Sequence, residues 1–408
     1  MNHRVAVTGF GIISSLGASV DTVAKALYEG RSGITVDAER LDRGFICPLT
    51  GRIQDFAPRH PLSKKQRKTM PDFAEWAAEA VFHALEEAGL APEDLRNERT
   101  GIIFGCDSSC IAALEQVEKL ARTGSTTGIG SGQVFRTMTS CVSMNLNVIF
   151  GTQGACWSIS GACASGGHAV GQAADLIRLG RQDRVICGGA QEINWQSMCS
   201  FDGLRAFSSR FDEPETASRP FDAGRDGLVP SGGAAALMLE RYDLAKKRGA
   251  KIHAELLGYG FSSDGDSISI PNSAGIGRAM RESMSQAGLS RSDITYVCAH
   301  ATSTPVGDAM EATNLLDIFG DRGVPVSSTK SMTGHELWMS GAAQVVYTGL
   351  MARHGFIAAN KNFEQGDALS SRLDIVRKTL ETPPGVALCN SAGFGGTNSC
   401  LALDFTPR

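Results

Sequence analysis

A chain of 408 residues, 42% apolar and 20% charged, is long enough for two domains' worth of core and too ordinary in composition to be disordered or fibrous. With 39 basic against 43 acidic residues the formal net charge is −4, which excludes a global attraction to nucleic acid or an anionic membrane, so any basic site is local. The eleven cysteines fall in apolar strings such as VICGG and YVCAH, at neither disulfide-framework nor metal-ligand spacing, and most are expected to be buried small hydrophobes.

The opening RVAVTGFGIISSLG reads as a strand turning into a glycine-rich loop, and Thr8, Gly9, Gly11, Ser14 and Ser15 interrupt it too often for a signal peptide. No apolar run reaches the roughly eighteen residues of a membrane span, so a cytosolic protein is expected. In PDFAEWAAEAVFHALEEAGL, Phe73, Trp76, Ala77, Ala80, Val81, Leu85 and Ala88 recur at helical spacing and Gly89 stops the pattern, predicting a helix. Strand RTGIIFG and helix IAALEQVEKLAR follow, then an apolar strand running into SISGACASGG, then strands DRVICGG and AAALMLE. Around residues 241–260 a basic helix end gives way to the strand KIHAELLGYG, the best seam between two α/β halves, 1–250 and 251–408. Beyond it come strand ITYVCAH, a helix starting near Asp308, and closing strands GVALCNSAG and SCLALDF. Strands interleaved with helices argue an α/β fold. There is no short-period repeat, and a distant duplication of the halves stays open.

Three places carry residues suited to chemistry. Cys163 follows a small-residue corner at Gly161 and Ala162 and opens a helix running to Gly180. A thiol there faces the positive end of the helix dipole and unpaired N–H groups, which favours thiolate, although a buried structural cysteine fits the segment equally well. His300 ends the strand ITYVCAH, where α/β sites gather, and His335 follows a Thr-Gly turn shortly after Lys330. A cysteine with histidines fits both a cysteine protease and an acyltransferase. Protease chemistry needs one imidazole base and a group to orient it, whereas two imidazoles suit donation to an enolate oxygen as a carboxylated thioester loses CO2. Lys330 and Glu311 read either as a buried ion pair or as two surface charges. Residues 390–399, NSAGFGGTNS, place glycines around Phe394 in a mobile loop whose N–H groups suit an oxyanion, or a plain turn.

Taken in order, RVAVTGFGIISSLG, EGRSGI, SISGACASG, RPFDAGRDG, HATSTPVGD, STKSMTGH and GFGGTN span nearly the whole chain, which resembles the elongating β-ketoacyl-[acyl-carrier-protein] synthases, closest to the synthase I branch. The resemblance implies a thiolase-like five-layered αβαβα sandwich of two pseudo-repeated halves, a homodimer, and a ping-pong decarboxylative condensation. On it, Cys163 accepts the acyl chain, His300 and His335 assist malonyl decarboxylation beside Lys330, and the N–H groups of Cys163 and Phe394 hold the oxyanion, with Phe394 as gate and Glu311 as structural support. Thr302 and Thr304 match positions that bind the phosphopantetheine arm, which the acyl carrier protein brings; no resident cofactor and no metal are implied. Lys64, Lys65, Arg67, Lys68 and Arg205 match the carrier-protein docking surface. The family's GHSLGAAG is here GHELWMSG, with Glu336, Trp338 and Met339 in place of small groups; Ala392 replaces a ring, Ala301 a glycine, and Leu228 a phenylalanine. These departures bear on substrate shape, so a ketosynthase of a specialised polyketide or aryl polyene pathway is the alternative. A thiolase would leave His335 without a role, and an inactive partner subunit would not need Cys163 with both histidines.

Overall fold

The computed structural model describes residues 3–54 and 56–406. Its strands are β1 (Val5–Ile13), β2 (Ile34–Val36), β3 (Leu49–Gly51), β4 (Thr100–Gly105), β5 (Cys156–Ile159), β6 (Arg184–Gln191), β7 (Gly233–Arg241), β8 (Ala254–Ser263), β9 (Tyr296–Cys298), β10 (Pro325–Ser327), β11 (Asp374–Ile375), β12 (Val386–Gly393) and β13 (Thr397–Asp404). Strands β2 and β3 pair on their own, and the others run β11-β10-β9-β12-β13-β8-β1-β7-β6-β4-β5.

The order repeats itself about the β1–β8 contact. From β1 outward, β7 is antiparallel, β6 antiparallel to β7, and β4 and β5 continue parallel. From β8 outward, β13 is antiparallel, β12 antiparallel to β13, and β9 and β10 continue parallel, with β11 added at the edge. The duplication that the sequence leaves open is therefore visible in strand order.

Apolar cores lie between five layers. Helix Asp72–Ala88 covers the outer face of β1 and β7, and helix Gly275–Ala287 covers β8 and β13. Helices Ser165–Arg178 and Ser340–His354 lie against each other between the two half-sheets. The largest core, with Phe10, Val170, Leu237, Tyr296, Val346 and Leu401, fills this middle layer. The central helices meet almost backbone to backbone, since a Cβ on Gly341 would stand 2.4 Å from the Gly167 nitrogen. The result is the αβαβα sandwich.

Helix Asp72–Ala88 ends as its pattern predicts, at Gly89 with φ 63°. The expectation for the opening segment is corrected: β1 does not give way to a loop at Gly9 but runs through to Ile13, wholly buried. Its glycines mark close approach rather than a turn. A Cβ on Gly11 would lie 1.8 Å from the Ala80 carbonyl oxygen, so the covering helix sits directly on the strand.

Candidate active site

Strand β5 ends at Ile159, and the chain turns through Gly161 and Ala162 into a short 3-10 turn, Ala162–Ala164, that runs straight into helix Ser165–Arg178. Ala162 takes φ 45°, a left-handed conformation that costs a non-glycine residue on the order of 1–3 kcal/mol and needs support from its surroundings. Three bonds supply that support. The Ala162 N–H donates to Asp107 Oδ2 at 3.0 Å, the Gly161 N–H to Ser165 Oγ at 2.9 Å, and Ser165 Oγ to the Ala162 carbonyl at 2.6 Å. Cys163 stands at the tip of this corner, 5% exposed.

His300 follows β9, and its N–H and that of Ala301 both donate to the Glu311 carboxylate, at 2.9 and 2.7 Å. Asn390 Nδ2 binds the same carboxylate at 2.9 Å, tying β12 to the loop. The helix carrying Glu311 starts at Pro305 rather than near Asp308. Asp308 instead lies in its first turn, where its oxygens accept the N–H groups of Thr302, Ser303, Thr304 and Phe221. His335 is fixed by backbone bonds to Val229 and Ser231 at 2.7 and 2.9 Å. Its ring meets that of His300 edge to face, with centroids 5.2 Å apart. Ser340 Oγ lies 3.2 Å from His335 Nδ1, and a hydroxyl donating there leaves the imidazole proton on Nε2.

Cys163, His300, His335, Phe394, Thr302 and Thr304 all line one cavity of about 460 Å³. Burial first, and the Lys330 ammonium second, push both imidazoles well below the ordinary histidine range, so both are neutral near pH 7. Lys330 is fully buried with no hydrogen-bond partner for Nζ, and Glu311 is buried as well, so the surface-charge reading does not hold. Nor do they form a direct ion pair. Glu311 is occupied by backbone N–H groups and acts on Lys330 through space, behind Cys298 and Glu336.

The expected thiolate is also corrected. Burial pushes the Cys163 thiol up to about 12, and Asp107 adds to this, outweighing the lowering by Lys330 and by the N–H groups of Cys163 and Phe394. Those two N–H groups nonetheless face the sulfur. Phe394 begins a short turn, Phe394–Gly396, between β12 and β13, which pair up to Gly393 and Thr397. Its ring stacks on Phe201 at 6.1 Å, and Phe201 lies 6.5 Å from Trp338. Trp338 is buried beside Cys163 and donates its indole N–H to Ser108 Oγ at 3.1 Å. Leu228, Ala392 and Arg205 line the same cavity, with Arg205 exposed at its mouth and Ala301 buried behind it. Lys64, Lys65, Arg67 and Lys68 are all exposed, on and just after a short helix, Lys64–Arg67, capped by Ser63.

The sequence gives no role to Asp107, Ser165, Asp308 or Ser340: Asp107 reaches the Ala162 N–H from 55 residues away, whereas Ser165, Ser340 and Asp308 act mainly on nitrogens four to six residues away, with Asp308 reaching Phe221 as well. Asp308 alone carried a local signal, an acidic residue in the first turn of a helix behind proline. Glu336 registered only as a departure from a pattern. It is fully buried, accepts a hydrogen bond from the Tyr347 hydroxyl, and faces Lys330.

Residues 2–245 match the family model for the beta-ketoacyl synthase N-terminal domain and residues 253–364 that for the C-terminal domain. The chain is 39% identical over 402 residues to 3-oxoacyl-[acyl-carrier-protein] synthase 1 of Haemophilus influenzae, covering 98% of each. A crystal structure of a beta-ketoacyl synthase from Burkholderia phymatum superposes with a TM-score of 0.94 at 33% identity, over 99% of this chain and 100% of that one. A type II PKS acyl-carrier protein in complex with its ketosynthase gives 0.89 at 27% identity, over 99% of both chains. With a buried cysteine at a strand-to-helix corner and two neutral imidazoles on one cavity, these likenesses along the full length mean that the chain belongs to the beta-ketoacyl synthase family of acyltransferases.

Proposed function

We propose that the protein is a 3-oxoacyl-[acyl-carrier-protein] synthase that lengthens fatty acyl chains by decarboxylative condensation. The observation that carries this reading is the convergence of Cys163 with two neutral imidazoles on a single cavity. The Cys163 sulfur attacks the acyl thioester of a loaded carrier protein, whose thiol leaves with the cysteine's proton. The N–H groups of Cys163 and Phe394 stabilise the oxyanion. Malonyl-carrier protein then enters, and Nε2–H of His300 and His335 donate to its thioester oxygen as CO2 departs. The resulting carbanion attacks the acyl carbon, the Cys163 sulfur leaves, and a proton from solvent restores the thiol. Burial holds the resting thiol up at about 12, so the thiolate is the minor form before attack. Burial first and Lys330 second keep the imidazoles neutral, each with a single N–H to donate, and Glu311 supports the loop.

Thr302 and Thr304, their hydroxyls 3.1 Å apart on the cavity wall, suit a phosphopantetheine arm that arrives with the partner, so the enzyme needs no cofactor of its own. The exposed basic residues Lys64, Lys65, Arg67 and Lys68, with Arg205 at the mouth, suit an acidic acyl carrier protein. A homodimer is supported by β5, an open sheet edge carrying exposed Trp157, and by exposed Val148 on helix Cys141–Phe150, which packs against that strand. No helix among the described residues is long and apolar enough to cross a membrane, in keeping with work in the cytoplasm.

Phe201 and Phe394 on the cavity wall, with Trp338 packed behind Phe201, favour a second reading, a specialised polyketide or aryl polyene ketosynthase taking flat unsaturated chains. Release of CO2 from malonyl-carrier protein tests the chemistry. The wild type should decarboxylate and His300→Ala and His335→Ala should lose most of that activity; undiminished CO2 release by either variant would remove the assigned roles. An acyl panel on the wild type separates the readings, because strong preference for polyenoyl over saturated chains would favour the specialised pathway.

A further inference from the structure

We propose that His60, Glu79 and His83 form a binding site for a divalent transition metal of the zinc class, on the outer face of helix Asp72–Ala88 and separate from the Cys163 cavity. Glu79 and His83 stand four residues apart on that helix, so one face presents both, and their side chains are only 3% and 5% exposed. His60 reaches in from the preceding loop. His60 Nδ1 lies 3.3 Å and His83 Nε2 3.1 Å from Glu79 Oε1, and all three donor atoms lie within 4.8 Å of one another. A zinc ion bound at about 2.0–2.1 Å in a tetrahedron separates its ligand atoms by about 3.3 Å, the spacing at which both imidazoles already stand from Glu79.

His60 Nε2 faces a second carboxylate, Glu86 Oε1, at 3.1 Å. The two imidazoles therefore make three close contacts with carboxylate oxygens. A metal on Nδ1 of His60 would leave Nε2–H to donate to Glu86, the carboxylate–histidine–metal arrangement in which the outer carboxylate orients the ligand. The His60 ring is already fixed by stacking on Phe82 at 4.5 Å. Glu79 is aimed by N–H bonds from Arg59 and His60, at 2.8 and 3.2 Å.

A fourth position is available. A cavity of about 140 Å³, lined by His60, Glu79, Glu75 and Arg67, opens onto the cluster and has room for water beside a metal. The occupied site would clamp the 58–62 loop to helix Asp72–Ala88, immediately ahead of the basic helix Lys64–Arg67.

Zinc and cobalt titrations of chelator-treated full-length protein test the proposal, read by calorimetry, thermal melting and the cobalt absorption spectrum. The wild type should bind one equivalent per chain and melt higher with zinc. His60→Ala, at a partly exposed loop position, should weaken zinc about 100-fold or more while its metal-free melt stays near that of the wild type. Cobalt should show the spectrum of nitrogen and oxygen ligands. Absence of saturable binding, binding that His60→Ala leaves unchanged, or a thiolate-to-cobalt charge-transfer band would each overturn the proposal, the last by moving the metal to the cysteines.

Discussion

Glu336 offers a sharp test of the electrostatics behind the two imidazoles. Burial raises its carboxyl from the ordinary 4.5 to about 7, against the lowering by Tyr347 and Lys330. The folded chain thus holds a proton that the unfolded chain releases between those two values. Protons bound more tightly in the folded state mean stability that is complete at low pH and falls as pH rises from 4.5 through about 7. Two and a half units correspond to about 3.4 kcal/mol over the whole window, of which about 2.5 kcal/mol is lost between pH 5 and pH 8, the unfolded carboxyl being already mostly ionised at pH 5. Spread over the unfolding entropy of a chain this long, the latter is a fall in Tm of roughly 3 °C. Glu336→Gln keeps the shape and still accepts the Tyr347 hydroxyl but cannot ionise. Melting both proteins between about pH 5 and 8 should therefore show the variant gaining on the wild type by roughly that amount as pH rises. Parallel curves over the whole range would refute the reasoning, since they would mean that this carboxyl does not titrate near neutrality in the folded protein. The same substitution removes a countercharge from Lys330, so the pH profile of malonyl decarboxylation should shift with it.

Cys163→Ala should abolish acyl transfer from carrier protein while leaving the melt near that of the wild type, as mass spectrometry of the acylated enzyme will report. Because the thiol is held up at about 12, alkylation of Cys163 by iodoacetamide should still be accelerating with pH above 9, and exposed Cys156 and Cys199 should not share its dependence on an empty cavity. Reversing Lys65 and Lys68 to Glu should raise the carrier-protein KM with little change in kcat and flatten the dependence of kcat/KM on salt; an unchanged salt slope would remove the docking patch. Trp338→Ala should cost about 3–5 kcal/mol of stability through the cavity it leaves and change acyl selectivity, both measurable on the purified protein.

Much of the site is legible in the chain because its signals are local. Small residues at Gly161, Ala162, Gly166 and Gly167 announce a tight strand-to-helix corner, and the apolar spacing from Phe73 to Ala88 with Gly89 behind it announces a helix and its end. Both are decided by sterics and periodicity within a few residues. The glycines of β1 mislead for the complementary reason. Gly9 and Gly11 look like turn residues, yet they are flat strand positions pressed by a helix whose sequence lies some seventy residues on.

Residue identity, then, determined which groups are present for chemistry: one cysteine at a helix entrance, two histidines at strand and turn ends, and a lysine near the second. Tertiary structure alone decided their charge. Cys163 is a neutral thiol rather than the expected thiolate, His300 and His335 are neutral rings, and Lys330 feels Cys298 and Glu336 more than Glu311. The free energy of an ionised group depends on how much water the rest of the molecule removes from it and which distant charges replace that water, and neither quantity is written in the residues beside it.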